Sequence, residues 1–371
     1  MIRRALPGVL VLCLAACATP TPPTAPPAEP AAPAPAPAPV VEPAAPVPLV
    51  TADLAAGRAA FARETSQRFG IPEAAILATL ERASIREGIV NAMSRPAEAK
   101  PWRDYRPLFI QQPRIDAGRA FLNQHRAELD AAHARYGVPP EIVAAIIGVE
   151  TSYGRNMGSW PVVDALYTLA FRYPRTNAPE RIARENQREA FFRDELAQVF
   201  AMGREQGMDV GALKGSYAGA MGLGQFMPSS YRQYAVDGDG DGRADLFASR
   251  ADAIHSVANY FVGRGQWQRG GPVMRRATRA PAARDFHNPG SAVQLTETVG
   301  SLAALGYAIN DPAIPASTPA SLITLEGANG PEYWVVFNNF SAIAKYNISR
   351  LYATAVYQLA EAIAGRSPEP R

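Results

Sequence analysis

From Leu54 onward, apolar residues recur every three or four positions along most of the chain. This spacing places them on one face of an α-helix, and the segments are rich in Ala, Leu, Arg and Glu, which favour helices. The pattern predicts helices at residues 54–69, 72–82, 115–135, 140–150 and 188–205, and again from Leu351 to Ala364. Such a chain is constrained to a mainly α fold whose helices bury their apolar faces against one another.

Residues 270–335 have a different composition, in which Pro, Gly, Thr and Val are mixed with short apolar runs. The runs Leu322–Leu325 and Tyr333–Phe337 are typical of strands. We therefore expect a small antiparallel β domain before the last helix. The predicted organisation is a helical domain at 51–135, a central domain at 136–268, a β domain at 269–337 and a C-terminal helical segment at 338–371 that closes the core.

The N-terminus has the features of an export signal. Arg3 and Arg4 precede a short apolar core, which is well below the roughly 20 residues that span a bilayer. The core ends in Leu14-Ala15-Ala16-Cys17, which resembles a bacterial lipobox and implies cleavage and lipidation at Cys17. An ordinary signal peptide that happens to contain cysteine is the alternative. Ala18 after the cysteine implies sorting to the outer membrane, again by resemblance.

Residues 18–50 are almost entirely Pro, Ala, Thr and Val. Proline fixes φ and removes amide donors, so this tract is expected to be an extended, disordered spacer. Cys17 is the only cysteine after cleavage, which leaves no disulfide framework. The net charge of +3 without a long basic run gives no support to nucleic-acid binding. The histidines His125, His133, His255 and His287 lack metal-ligand spacing.

One carboxylate lies on the apolar face of a predicted helix. Pro139 and Pro140 open this helix, where a missing amide donor does no harm. Glu150 follows Ile146 by four residues and Ile147 by three, so these side chains share a face. Burial raises the pKa of a carboxyl group and keeps it protonated near neutral pH, as a general acid for a glycosidic oxygen requires. On periodicity alone, a solvated or ion-paired glutamate is the commoner arrangement.

The residues around Glu150 carry a family resemblance. The string IIGVETSYGRNMG (146–158) closely resembles the catalytic segment of the membrane-bound lytic murein transglycosylase B family, glycoside hydrolase family 103. Similar segments are VVDALYTLAFRYPR (162–175), LKGSYAGAMGLGQFMPSSYRQYAVD (213–237), SVANYF (256–261) and KYN (345–347). The resemblance extends from about Leu54 to Ala364. It implies a lysozyme-like catalytic core at 136–268, with Glu150 as the catalytic acid and base.

Small residues surround Ser216 and Gln225 in the segment at 215–231. Gly and Ala allow the backbone to approach a ligand closely, and glutamine can donate and accept hydrogen bonds. A tight helix–helix contact uses the same residue types, so composition leaves both possibilities open. By the resemblance, both side chains line the substrate cleft beside Glu150.

Tyrosines are candidate sugar platforms, because each ring offers a flat apolar face with a polar tip. A lone tyrosine is more often a core residue, but the resemblance singles out Tyr105, Tyr260 and Tyr346 and, less directly, Arg175. Thr176 stands where relatives commonly have a second arginine, which puts a paired-arginine contact with the peptide stem in doubt. The substrate-binding residues predicted in this way are Tyr105, Ser152, Tyr153, Arg175, Ser216, Gln225, Tyr260 and Tyr346.

No second carboxylate accompanies Glu150 in these motifs, whereas the usual glycoside hydrolase needs two. The resemblance implies a non-hydrolytic reaction at the bond between N-acetylmuramic acid and N-acetylglucosamine. Glu150 would protonate the leaving oxygen, the substrate's N-acetyl group would stabilise C1, and the muramyl C6 hydroxyl would close a 1,6-anhydro ring. Ordinary hydrolysis stays open, since folding could bring Asp164 or Asp194 close to Glu150.

An acidic loop predicts a structural calcium site. Asp237, Asp239, Asp241 and Asp245 fall at positions 1, 3, 5 and 9 of the EF-hand pattern, with Gly242 at position 6 and the Arg243 carbonyl at position 7. Position 12 is Ala248 rather than Glu, and the resemblance makes Asp252 the candidate closing ligand. A metal-free Asp-Gly turn is the alternative. We expect no organic cofactor.

The sequence thus predicts a lytic transglycosylase at the periplasmic face of the outer membrane of a Gram-negative bacterium. Its expected partners are peptidoglycan glycan strands and, through the lipid anchor, the outer membrane. Cell-wall synthesis or division proteins are further candidate partners, and we expect a monomer. The competing hypotheses are a non-catalytic peptidoglycan-binding lipoprotein, a muramidase that releases reducing ends, and a calcium-sensor or adhesion module.

Overall fold

Helices make up most of the structure, and a small sheet precedes the last two of them. The computed structural model describes residues 51–94, 100–286 and 293–367. Within these ranges the helices are α1 (Thr51–Phe69), α2 (Glu73–Arg82), α3 (Glu87–Met93), α4 (Trp102–Tyr105), α5 (Gln112–Gln124), α6 (Arg126–Tyr136), α7 (Pro140–Thr151), α8 (Val162–Phe171), α9 (Ile182–Gln206), α10 (Pro228–Tyr234), α11 (Arg250–Gly263), α12 (Val299–Ala304), α13 (Asn338–Ala344) and α14 (Arg350–Ile363). The strands are β1 (Trp160–Pro161), β2 (Lys214–Gly215), β3 (Met274–Arg279), β4 (Glu297–Thr298), β5 (Tyr307–Ile309), β6 (Pro319–Gly327) and β7 (Gly330–Val336).

The predicted helices are confirmed, with two differences. The segment at 115–135 forms two helices, α5 and α6, divided at His125, whose φ of −114° and ψ of 33° are not helical. The division involves neither proline nor glycine, so the sequence gives no signal for it. Helix α9 begins at Ile182 instead of 188, because its first residues are mostly exposed and lack apolar periodicity.

Helix α7 lies at the centre of the main core. Its side chains Ile142, Val143, Ile146 and Ile147 are each at most 3% exposed. Helices α5, α6, α11 and α14 all pack against it. Each such side chain contributes about 1.5–3 kcal/mol when it is fully buried. Packing on several sides therefore makes α7 a rigid support for Glu150 near its end.

The five-stranded sheet is antiparallel, in the order β4-β6-β7-β3-β5, and β1 pairs with β2 separately. In the β6–β7 hairpin, Leu322 pairs with Val335 and Ile323 with Trp334. Because side chains alternate between faces, the first pair joins a small core with α12 and the second pair joins the main core. Both faces of the hairpin are buried, which explains its continuous apolar runs. The prediction of a mainly α fold with a small antiparallel sheet is confirmed.

The predicted signal peptide (1–17), Cys17 and the spacer (18–50) lie outside the described residues. In the part of the chain that the structure describes, no helix combines the length and the apolar character needed to cross a membrane. All described residues belong to one compact unit, Pro46–Arg371. The domain boundaries at 135, 268 and 337 therefore stay predictions.

Candidate active site

Glu150 lies in the last turn of α7, where the backbone turns sharply into the next loop. Ser152, Tyr153 and Gly154 all adopt left-handed φ values, of 51°, 61° and 89°. This conformation costs on the order of 1–3 kcal/mol for a residue other than glycine. The N–H of Ser152 donates to the carbonyl of Gly148 at 3.1 Å, which caps the helix end. The helix thus stops directly after the acid.

The ring of Tyr153 braces this turn. A Cβ on Gly148 would lie 2.5 Å from the ring, and a Cβ on Gly118 would lie 2.5 Å from its hydroxyl oxygen. The hydroxyl donates to the carbonyl of Arg114 at 3.0 Å. Tyr153 therefore joins α5 to α7, and the two glycines make the space for it. Its predicted contact with substrate, and that of Ser152, stay predictions.

The carboxyl group of Glu150 is largely removed from water, although part of the residue reaches the surface. Burial raises its pKa from 4.5 to about 7, and a hydrogen bond from the Tyr352 hydroxyl opposes this rise. That hydroxyl donates to Oε1 of Glu150 at 2.5 Å. A carboxyl group with a pKa near 7 is about half protonated at neutral pH, so it is suited both to donate and to accept a proton.

Tyr346 lies beside this carboxyl group, and Tyr260 packs against Tyr346. The Tyr346 hydroxyl donates to the carbonyl of Gly224 at 2.6 Å, and the Tyr260 hydroxyl donates to the carbonyl of Lys345 at 2.8 Å. Their rings are 4.8 Å apart in an edge-to-face arrangement. Burial, and then the nearby Glu150, raise the pKa of Tyr346 well above its usual value. Burial raises the pKa of Tyr260 to about 12.

Tyr105 reaches the same centre from α4. It is 7% exposed and packs against Phe109, with the ring centroids 5.1 Å apart. It also interacts electrostatically with Tyr352. The structure therefore brings three of the predicted tyrosines, Tyr105, Tyr260 and Tyr346, to the surroundings of Glu150, from three different parts of the chain.

The turn at 222–226 is attached to the end of α7. The Thr151 hydroxyl lies 3.0 Å from the carbonyls of both Ile147 and Leu223, so its one proton can be shared with Leu223. Tyr346 donates to the next carbonyl, that of Gly224. Gln225 has a left-handed φ of 51°, and its Nε2 donates to the carbonyls of Met157 and Gly222 at 3.1 and 3.0 Å. This leaves Oε1 of Gln225 without a donor among the described residues.

Ser216 lies in a tight turn that precedes Gln225. Its Oγ accepts hydrogen bonds from the backbone N–H groups of Ala218 and Ala220 at 3.3 and 3.1 Å. Within the described ranges no acceptor takes its hydroxyl proton. The two side chains therefore offer one free donor, at Ser216, and one free acceptor, at Gln225.

Arg175 is held by α9. It donates to Oδ1 of Asn186 at 2.9 Å and forms an ion pair with Glu189. The neighbouring Thr176 donates to Glu185 through its hydroxyl at 2.6 Å and its N–H at 3.1 Å. These contacts tie the loop after α8 to α9. The predicted contact of Arg175 with substrate stays a prediction.

The two aspartates that could have supplied a second carboxylate are engaged elsewhere. Asp164 accepts from Nε of Arg86 at 2.8 Å and from the N–H of Ser84 at 3.0 Å. Asp194 forms an ion pair with Arg68 of α1. Among the described residues, no other carboxylate acts on the pKa of Glu150.

In the acidic loop, three carboxylates are grouped. Oxygen atoms of Asp237, Asp239 and Asp252 lie within 4.8 Å of one another, and Asp252 is fully buried. Asp237 accepts from three N–H groups of the loop, and these bonds, that from Gly242 first, lower its pKa. No lysine, arginine or histidine in the described ranges forms an ion pair with the group. Its all-oxygen donor set fits a hard cation such as calcium.

The other predicted ligands have different contacts. Asp245 accepts from the N–H groups of Phe247 and Ala248 at 2.8 and 3.0 Å, and Asp241 accepts from that of Arg243 at 2.9 Å. Neither carboxylate belongs to the group of three. The roles of Asp241, Arg243 and Asp245 as ligands stay predictions.

A mainly α fold with one desolvated carboxylic acid at a helix end, flanked by tyrosines and a polar turn, defines an acid–base enzyme that cleaves glycans. The family model described as a Transglycosylase SLT domain matches residues 54–361. Over 264 residues the chain is 42% identical to membrane-bound lytic murein transglycosylase B of Escherichia coli (strain K12), covering 71% of this chain and 67% of the relative. The chain belongs to this family and is a lytic murein transglycosylase.

Solved structures of lytic transglycosylases are similar to this chain in fold. Soluble lytic transglycosylase SltB1 from Pseudomonas aeruginosa is 41% identical, with a TM-score of 0.73 over 83% of this chain and 98% of that one. Escherichia coli Slt35 in complex with calcium is 37% identical, with a TM-score of 0.69 over 82% and 91%. SltB3 from Pseudomonas aeruginosa in complex with NAG-anhNAM-pentapeptide is 31% identical, with a TM-score of 0.70 over 84% and 80%. The predicted lysozyme-like fold is confirmed.

Two residues of the site were not predicted. Tyr352 lies in the apolar periodic pattern of α14 and has the sequence signature of a core residue. Thr151 belongs to the matching string, but its bond to Leu223 depends on a turn 72 residues away. In neither case does local sequence carry a signal for the contact.

Proposed function

We propose that Glu150 is the single catalytic group of this transglycosylase, first as general acid and then as general base. One observation carries the proposal: a desolvated carboxyl group with a pKa of about 7 lies at the end of α7 without a carboxylate partner in the described chain. A two-carboxylate hydrolase needs a second acid about 5–9.5 Å away. The two aspartates considered for that role, Asp164 and Asp194, are paired with Arg86 and Arg68.

The reaction follows from this arrangement. Protonated Glu150 gives its proton to the oxygen between C1 of N-acetylmuramic acid and C4 of N-acetylglucosamine, and the C1–O bond breaks with its electron pair going to that oxygen. The 2-acetamido group of the muramyl residue stabilises the positive charge at C1. The Glu150 carboxylate then takes the proton of the C6 hydroxyl, and O6 bonds to C1. Glu150 is protonated again, and no water is consumed.

Ser216 and Gln225 are matched to the acetamido group of the substrate. An amide has one carbonyl acceptor and one N–H donor. The free hydroxyl of Ser216 can donate to the amide carbonyl, and the free Oε1 of Gln225 can accept from the amide N–H. Holding this group in place would also align it with C1, which it must approach in the reaction.

The test compares Glu150→Gln with wild type and with Glu141→Gln, a change in the first turn of the same helix. Each protein digests purified peptidoglycan, and the muropeptides are separated by mass. Wild type and Glu141→Gln should release anhydro-muropeptides, each lighter by one water than the hydrolysed product. Glu150→Gln should release none, because an amide cannot donate the proton.

Two other outcomes would favour the alternatives. Reducing-end products from wild type would make the protein a muramidase. If wild type binds peptidoglycan but releases nothing, the protein is a binding lipoprotein. An unchanged yield from Glu150→Gln would show that another group is the acid.

We further propose a structural calcium ion in the acidic loop, held by Asp237, Asp239 and Asp252. The grouping of three carboxylates without a cationic partner supports it, as does the calcium complex of Slt35. The ion would neutralise the repulsion between the carboxylates and order the start of α11. Calcium should therefore raise the melting temperature of wild type in calorimetry after chelation, and should have little effect on Asp252→Asn.

A lipid anchor at Cys17 is proposed from the lipobox and from the membrane-bound relative. The spacer at 18–50 would then give the enzyme reach from the outer membrane to the glycan strands. Cys17→Ser should move the protein from the membrane fraction to the soluble fraction of the periplasm. Retention in the membrane fraction would contradict the anchor.

A further inference from the structure

A hydrogen bond links Tyr352 of α14 to Glu150 of α7. The residues are 202 positions apart, and the hydroxyl lies 2.5 Å from Oε1 of Glu150, to which it donates. Tyr352 is 3% exposed, so water does not compete freely for this bond.

The position of Tyr352 is fixed by the segment that precedes it. Ser349 caps α14, and its Oγ accepts from the N–H of Tyr352 at 3.3 Å. The Tyr346 hydroxyl donates to the carbonyl of Gly224 at 2.6 Å, which attaches the start of the segment to the turn at 222–226. Helix α14 packs directly against α7. The hydroxyl is thus held at one place relative to Glu150.

A protonated carboxyl group has one O–H donor and one acceptor oxygen. We propose that Tyr352 is a positioning residue for the transglycosylase reaction: it occupies Oε1 as the acceptor, leaves the acidic proton on Oε2, and stabilises the carboxylate after that proton has moved to the leaving oxygen. Tyr352 keeps its own proton throughout. The inference rests on the proposed role of Glu150.

The ionisable groups around Glu150 support this assignment. Tyr346 and Tyr352 both interact with it, and Tyr105 of α4 adjoins Tyr352. Burial, and then the neighbouring carboxyl group, raise the pKa of Tyr352 well above its usual value, so its hydroxyl stays protonated in the working range.

The bond from Tyr352 also sets the direction in which the pH dependence of the rate should shift. The bond from Tyr352 lowers the pKa of Glu150, whereas burial raises it. Removing the hydroxyl therefore raises the pKa further and extends the acid form to higher pH. The alkaline limb of the rate profile should move upward even though the rate falls, because the carboxylate formed in the transition state has lost its donor.

The experiment uses full-length Tyr352→Phe, with Tyr357→Phe as the matched control. Tyr357 is a buried tyrosine of the same helix whose hydroxyl interacts with Glu361 and Arg275. Steady-state kinetics on soluble glycan strands are measured from pH 5 to 9, and NMR of the labelled Glu150 carboxyl gives its pKa without turnover. We expect kcat of Tyr352→Phe to fall about tenfold to a hundredfold, with KM nearly unchanged.

In Tyr352→Phe the alkaline limb and the NMR pKa should both move upward, and in Tyr357→Phe neither should move. An unshifted pKa in a folded Tyr352→Phe would overturn the proposal, as would an unchanged kcat or an equal loss in both variants. Failure of the underlying function would look different, since Glu150→Gln would then remain active. If Tyr352→Phe has a lower melting temperature, the NMR pKa of Glu150 measured below that temperature still tests the proposal.

Discussion

Replacing Glu150 by glutamine should make the protein more stable at alkaline pH, while it removes activity. The folded-state pKa of about 7 exceeds the ordinary value of 4.5. The folded state therefore binds more protons than the unfolded state between these values, and stability falls as pH rises through this window. Each tenfold difference in proton affinity corresponds to about 1.4 kcal/mol, so the full penalty above pH 7 is about 3 kcal/mol.

Because part of Glu150 reaches solvent, we expect about 2 kcal/mol of this penalty to be realised. Glutamine has nearly the same shape, accepts the bond from Tyr352 and carries no charge. In urea unfolding, the stability difference between Glu150→Gln and wild type should therefore be about 2 kcal/mol more favourable to the variant at pH 8 than at pH 4.5. Comparing two pH values cancels any constant effect of the amide.

Glu81→Gln, a change at an exposed position on α2, is the control for removal of an acid. A pH-independent difference for Glu150→Gln would refute the argument, because it would mean that folding does not desolvate the carboxyl group. The same result would remove the physical basis for a general acid at this position.

Three further outcomes are expected. The value of kcat/KM should fall as pH rises through about 7, since the acid form of Glu150 is lost; a rate that is flat to pH 9 contradicts this. Gly148→Ala should destabilise the protein by about 1–3 kcal/mol in urea unfolding, because its Cβ would lie 2.5 Å from Tyr153; unchanged unfolding would show that the ring moves freely. Thr151→Val loses the donor to Leu223 and should raise KM on glycan strands several-fold, and an unchanged KM would separate this bond from substrate binding.

The sequence predicts the fold well wherever its signal is local. Apolar periodicity locates α1, α2, α7 and α14, and β-branched runs locate β6 and β7. The break at His125 has no local cause that a pattern can reveal, since apolar spacing continues across it. The early start of α9 is missed for a related reason. Its first turns are mostly exposed, so they carry no apolar periodicity that a pattern could reveal.

For the site, local sequence identifies the acid but not what controls it. Glu150 stands out because it is a carboxylate on an apolar face within a recognisable string. Tyr352, which bonds to it, follows 202 residues later, and its contact depends on the packing of α14 against α7. Likewise, only the folded structure shows which atoms of Ser216 and Gln225 are free to bind a ligand, because that depends on the hydrogen bonds formed by their other atoms.

The acid of α7 depends on a helix from a distant part of the sequence. Helix α14 packs against α7, and its Tyr352 bonds to Glu150 across 202 residues. A chain truncated before Arg350 would leave the apolar face of α7 uncovered and its carboxyl group open to water. The burial that raises the pKa of Glu150 is therefore a property of the assembled pair of helices rather than of α7 alone.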